Sequence, residues 1–152
     1  MAYFRAAKKE DVDLLASQIR TGDVKELWHS HGMEPKEALD ISFSDSVEVF
    51  TIIYDEQPIG MFGYGEIDEN IGVPWLLASD KLPEIAREFL RGSKEWIEDV
   101  LTKKYMLFNY VHADNKEAIR WLEWLGFKFL RRIENFGKNP APFLEFVIIR
   151  ED

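Results

Sequence analysis

The segment Asn109 to Phe127, NYVHADNKEAIRWLEWLGF, constrains the fold more than any other stretch of the chain. A strand through Asn109-Tyr110-Val111 ends at His112-Ala113, and Asn115 stands where a helix wants an N-cap oxygen. Ala118, Ile119, Leu122 and Leu125 then recur at helical spacing. Gly126 supplies a left-handed stop, and Phe127 opens another strand at once. Strand, cap, one-sided helix and strand in immediate succession commit this region to helices packed on a sheet.

The rest of the chain extends that pattern. Ile71 to Leu77 predicts a strand interrupted by Pro74. Pro83 to Leu101 predicts a long helix with Ile85, Phe89, Trp96, Ile97 and Val100 on one stripe. Proline in its first turn costs no intrahelical hydrogen bond. With Met106 to Val111 these make a strand–helix–strand unit, expected to be parallel and right-handed. Val47 to Tyr54 and Pro58 to Tyr64 predict a hairpin around Asp55-Glu56-Gln57, and Phe127 to Ile133 and Phe143 to Arg150 another across the Gly137 to Pro142 loop. Upstream come a short strand, Tyr3 to Ala6, and helices over Glu10 to Ile19, Asp23 to His31 (stopped by Gly32) and Pro35 to the Ser42–Ser46 region. The expected fold class is α/β (α+β): a mixed, mostly antiparallel sheet flanked by helices, with a central parallel strand pair, in one domain over 1–152.

Charge narrows the partners. Nineteen Lys+Arg against 28 Asp+Glu give a net charge of −9. Such a field repels phosphate backbones, and Lys8-Lys9, Lys103-Lys104 and Arg131-Arg132 are isolated pairs, so no nucleic acid partner is expected. The absence of cysteine excludes disulfides, thiolate metal sites and cysteine nucleophiles. No stretch is apolar enough to span a bilayer, and Met1 to Asp11 lacks the apolar run of a signal peptide, so a soluble, unexported chain is expected. Glu26, His29 and His31 form no metal site, because imidazoles two apart on a helix end diverge. Trp28, Trp75, Trp96, Trp121 and Trp124 are open to two readings, a surface patch for a partner or partial core burial.

Asn115, Ala118, Glu123, Leu125, Gly126 and Phe127 form a pattern that resembles the strand–cap–helix–Leu-Gly-Phe segment of the GNAT N-acetyltransferases, whose element order the chain also shares. The resemblance implies a GNAT-like fold, acetyl-CoA as cofactor, and a gap between the two central parallel strands that admits the pantetheine arm. Pro74, which cannot donate to a ladder, suits such a gap, with Trp75 and Leu77 lining it. More narrowly, Pro74-Trp75-Leu76-Leu77, Phe89-Leu90-Arg91, Asn109-Tyr110-Val111 and the stretch from Arg120-Trp121-Leu122 to Gly126 resemble the small internal virion proteins of podovirus-type phages. That resemblance implies a phage gene product in the host bacterial cytoplasm or packaged in the virion, with phage or host proteins as partners, acting in virion assembly or genome delivery. It does not by itself imply catalysis.

Acetyl transfer on this fold has three requirements. The cofactor diphosphate is cradled by amides of an Arg/Gln-x-x-Gly-x-Gly/Ala loop at a helix start. Here Ala78-Ser79-Asp80-Lys81-Leu82-Pro83 has no glycine, and Asp80 or Ser79 either caps the helix or, for Asp80, fills the anion site from within. Candidate cofactor contacts are Trp75, Leu77, Ser79, Lys81 and Asn115, with Lys116 and Arg120 as further cations. The motif-helix tyrosine that often serves as general acid is Leu122 in this chain, which leaves Tyr110 and His112 as candidates. A base is sought among Glu66, Asp68 and Glu69, with Glu66 the candidate. Two functions follow: a GNAT-fold protein with a diverged or lost acetyl-CoA site working through protein contacts, or an active acyl-CoA-dependent N-acetyltransferase.

Overall fold

Only one pair of neighbouring strands in the sheet runs parallel. The computed structural model describes residues 1–151. In chain order it contains β1 (Ala2–Ala6), α1 (Lys9–Ala16), α2 (Thr21–His31), α3 (Pro35–Asp45), β2 (Glu48–Tyr54), β3 (Gln57–Glu66), β4 (Ile71–Ala78), a 3-10 turn (Leu82–Ile85), α4 (Ala86–Val100), β5 (Met106–His112), α5 (Lys116–Leu125), β6 (Lys128–Phe136) and β7 (Ala141–Ile149). The seven strands lie in the order β1-β2-β3-β4-β5-β7-β6, with β4 and β5 parallel and every other pair antiparallel. The expected mixed α/β sheet with a central parallel pair is therefore the fold.

Strand alternation sorts the core into two layers. Met61 and Leu77 face Val12, Leu15 and Leu39 of α1 and α3. Their neighbours Phe62 and Ala78 face Ile85 and Phe89 on the opposite side. Across the sheet, Leu107, Val111 and Phe146 pack with Ile97 and Val100 of α4 and with the apolar face of α5. Among the described residues no helix is long and apolar enough to cross a membrane.

Three local expectations are corrected. The first helix stops at Ala16, and Ile19 instead makes an antiparallel bridge with Ser79 at the end of β4. Pro83 to Ile85 is a 3-10 turn, because Ser79 folds the chain back on itself, and α4 begins at Ala86. Asn115 holds the N-cap position of α5 but makes no side-chain capping bond; its amide is drawn into α2 instead. Gly126 does end α5 in the left-handed region, with φ 102°.

The parallel pair is the feature that creates a site. β4 and β5 are paired only at Ile71–Met106 and Gly72–Leu107. Beyond Gly72 comes Pro74, with no amide to offer β5, and the strands part. The paired end is fastened by Lys104, 6% exposed, which donates to the Glu66 carboxylate and to the carbonyls of Asp68 and Glu69.

Candidate functional site

The widening gap between β4 and β5 opens into a cavity of about 530 Å³. Its lining comes from both layers, with Leu27 and Met33 on one side of the sheet and Phe89, Trp96, Trp121 and Leu122 on the other. Along a strand the backbone polar groups alternate in direction, so Pro74, Leu76 and Ala78 present theirs to the gap while Ser79 donates to Ile59 of β3. Side chains meet several of these edge groups. Asn109 Nδ2 donates to the Pro74 carbonyl at 2.8 Å, and its Oδ1 accepts the Tyr110 amide at 2.8 Å.

At the mouth, α2 crosses from one strand end to the other. The Arg20 amide donates to Ala78 O at 2.9 Å, and the Ala78 amide donates to Asp23 Oδ2 at 3.1 Å. One turn on, Glu26 Oε1 accepts the His112 amide at 3.0 Å. Asn115 Nδ2 lies between the two acids, 3.3 Å from Asp23 Oδ1 and 3.2 Å from Glu26 Oε1. Arg20 pairs with Asp23 at 2.9 Å and with Glu117 at 3.0 Å, and its guanidinium stacks over Trp121. Burial raises the Asp23 carboxyl above the usual range, against the opposing pull of Arg20. Burial, then the Asp23 charge, pushes Glu26 up to about 7. The acids and Arg20 that close the mouth are separated in sequence from both strands they hold, so no local pattern marks them as a unit.

The turn after β4 does not fit a coenzyme A diphosphate. An anion there needs free amides. The Lys81 amide is taken by Ser79 Oγ, the Leu82 amide by Ser79 O and the Glu84 amide by Lys81 O, while Pro83 has none. Ser79 thus closes the turn. Asp80 is exposed and has no hydrogen-bond or ion-pair partner among the described residues, so it does not fill an internal anion site.

The other residues singled out in the sequence are divided by the fold. Trp75, Leu77, Tyr110 and Asn115 all line the cavity, and Trp75 Nε1 is anchored to Ser46 Oγ at 2.8 Å. Tyr110 donates its hydroxyl to Glu145 at 3.0 Å, and burial together with that bond raises its pKa. His112 is 6% exposed rather than an open strand end. Burial depresses its pKa, and Nδ1 accepts the Asp114 amide, which assigns the ring proton of the neutral form to Nε2. Lys81, Lys116 and Arg120 are exposed. Glu66 lies apart from all of these at the paired end of the strands, held by Lys104, because its loop leads into the start of β4 and not its end. The tryptophans form no single surface patch: Trp75, Trp96 and Trp121 line the cavity, while Trp28 and Trp124 are exposed on separate helices.

A seven-stranded mixed sheet that parts at one central parallel pair, with α4 crossing between those two strands, is the fold of the GNAT N-acetyltransferases. Solved structures of that class superpose along nearly the whole chain. Ard1 from Thermoplasma volcanium matches with TM-score 0.72 at 15% identity, covering 99% of each chain. An acetyltransferase of the GNAT family from Bacillus anthracis matches with TM-score 0.71 at 10% identity, covering 97% of this chain and 94% of that one. Spermidine N-acetyltransferase from Vibrio cholerae, solved with CoA and spermine, matches with TM-score 0.71 at 14% identity, covering 97% and 95%. No family model matches the chain, and no curated protein matches it. At these identities the likeness shows the fold alone.

Proposed function

We infer that this chain is a GNAT-fold protein whose acyl-donor groove is closed by its own α2, and that it works by binding rather than by acetyl transfer. The observation that carries the reading is the bridge at the mouth, where Asp23 and Glu26 take the amides of Ala78 and His112. A donor's extended arm would need those edge groups, and its diphosphate would meet the Asp23 and Glu26 carboxyls and a turn whose Lys81, Leu82 and Glu84 amides are already bonded. A phosphate brought beside these carboxyls is disfavoured to the extent that they are ionised. Its setting, phage virion assembly or genome delivery with phage or host proteins as partners, is supported by the resemblance of Pro74–Leu77, Phe89–Arg91, Asn109–Val111 and Arg120–Gly126 to internal virion proteins.

Calorimetry with acetyl-CoA at low salt tests the closed groove. No measurable heat is expected, and micromolar binding with acetyl transfer to an amine overturns the reading. Mass spectrometry of purified phage particles tests the setting separately, and consistent absence of the chain removes a packaged role.

One observation favours the second reading, an acyl-CoA-dependent N-acetyltransferase. The cavity passes through the strand gap in which the GNAT resemblance places the pantetheine arm, and Tyr110 and Asn115 border it. In that reading the exposed Lys81, Lys116 and Arg120 hold the phosphates in place of loop amides.

A further inference from the structure

On the α4 side of the gap, Phe89, Trp96, Trp121 and Leu122 wall the cavity, and Ser93 borders the same space. Ser93 lies one turn from Phe89 and one from Ile97, on the buried stripe of α4. It is 5% exposed, and among the described residues its Oγ is a buried side-chain polar atom without a hydrogen-bond partner. A helical serine usually turns its hydroxyl to the carbonyl one turn back or to water. Ser93 makes no such carbonyl bond, so a donor and acceptor without a protein partner stands beside an apolar, aromatic-walled cavity of the size that small molecules occupy.

We propose that this cavity binds a neutral, largely apolar small molecule, with an aromatic or alkyl body and one carbonyl-type acceptor that takes the Ser93 hydrogen bond. The aromatic walls suit the body. The charges at the mouth select the head. Arg20 is committed to Asp23 and Glu117, so an anion entering the cavity meets Asp23 and Glu26 with no unpaired lysine or arginine among the described lining residues to offset them. An ammonium group could donate to Ser93 Oγ only by carrying its charge in among the aromatic walls, away from Glu26. A neutral carbonyl alone satisfies the hydroxyl without bringing a charge among apolar walls. The inference rests on the reading that coenzyme A does not occupy the gap.

Three compounds with one body test it: 4-phenylbutanamide, 4-phenylbutanoate and 4-phenylbutylamine, each titrated calorimetrically into the full chain. The amide is expected to bind at least tenfold more tightly than either charged analogue. Ser93→Ala, which removes an unpartnered hydroxyl and so retains the fold, is expected to weaken the amide at least fivefold while the melting temperature holds or rises. Failure of the amide to bind, equal or tighter binding of either charged analogue, or an unchanged amide affinity in Ser93→Ala overturns the proposal. Acetyl-CoA titrated into the ligand-free chain reads the closed groove separately, so a failure of one reading is distinguished from a failure of the other.

Discussion

The side-chain amide of Asn109 donates to the carbonyl of Pro74 across the divergence of β4 and β5, at 2.8 Å. Backbone pairing between these strands has already ended at Gly72 and Leu107, so a side chain takes over where the ladder stops. The same side chain accepts from the Tyr110 amide, so among the described residues Asn109 links the β4 edge to the β5 edge at this level.

Replacing Asn109 by leucine keeps the volume and removes both bonds. A loss of about 2 kcal/mol is expected, from a partly buried carbonyl and amide left without partners. Urea unfolding of Asn109→Leu against wild type checks this, and an unchanged midpoint would show that water serves both groups equally well.

Asp23 is the more costly residue to remove. Its side chain and that of Arg20 are 4% and 7% exposed. Asp23→Ala takes from Arg20 its buried partner, leaving it only the more exposed Glu117, and leaves the Ala78 amide unpaired; a destabilisation of about 3–5 kcal/mol is expected. Thermal and urea melts measure it, and Asp23→Asn should recover part of the loss by keeping an acceptor for Ala78.

Glu26 gives a pH dependence of defined sign. Its folded pKa is raised from 4.5 to about 7, so the folded state holds the proton more tightly than the unfolded one. The stability it contributes is full below pH 4.5 and lost as pH climbs to about 7, a decline on the order of 3 kcal/mol. His112, with a depressed pKa, contributes the opposite slope below its ordinary value of 6.5. The difference between wild type and Glu26→Gln, followed by urea midpoints from pH 5 to about pH 8, isolates the Glu26 part. A pH-independent difference would contradict the raised value.

Leu122 lines the cavity where the resemblance would have a tyrosine acid. Leu122→Tyr supplies the missing proton donor but leaves α2 and the Ser79 turn as they are. No acetyl-CoA turnover is expected, and a coupled thiol-release assay checks it. Appearance of turnover would mean that the acid alone was lacking.

Most of the fold was legible because it depends on local patterns: the 3.6-residue stripe on α4, the Gly126 stop and the β-branched hairpins each lie within one window. Pro74 was legible as a gap marker for a chemical reason, its missing amide. The site was not. Asn115 reads as a cap by residue type, yet its amide is claimed by Asp23 and Glu26 from another helix. In the sequence Glu26 draws notice only beside His29 and His31, and packing alone places it over the His112 amide. Ser93 carried a faint local signal, a hydroxyl inside an apolar stripe, but only the absence of a partner gives it meaning. Nothing within a window of sequence reports a hydrogen bond between residues brought together from distant parts of the chain.

The sheet is in effect two plates, β1 to β4 and β5 with β7 and β6, hinged on a two-residue ladder and tied beyond it by the side chains of Asp23, Glu26 and Asn109. A seam stitched by side chains can be rewritten one residue at a time. The spacing of the plates, and with it what passes between them, is open to change by point substitution while the core of each plate stays untouched, a freedom that a continuous backbone ladder would deny.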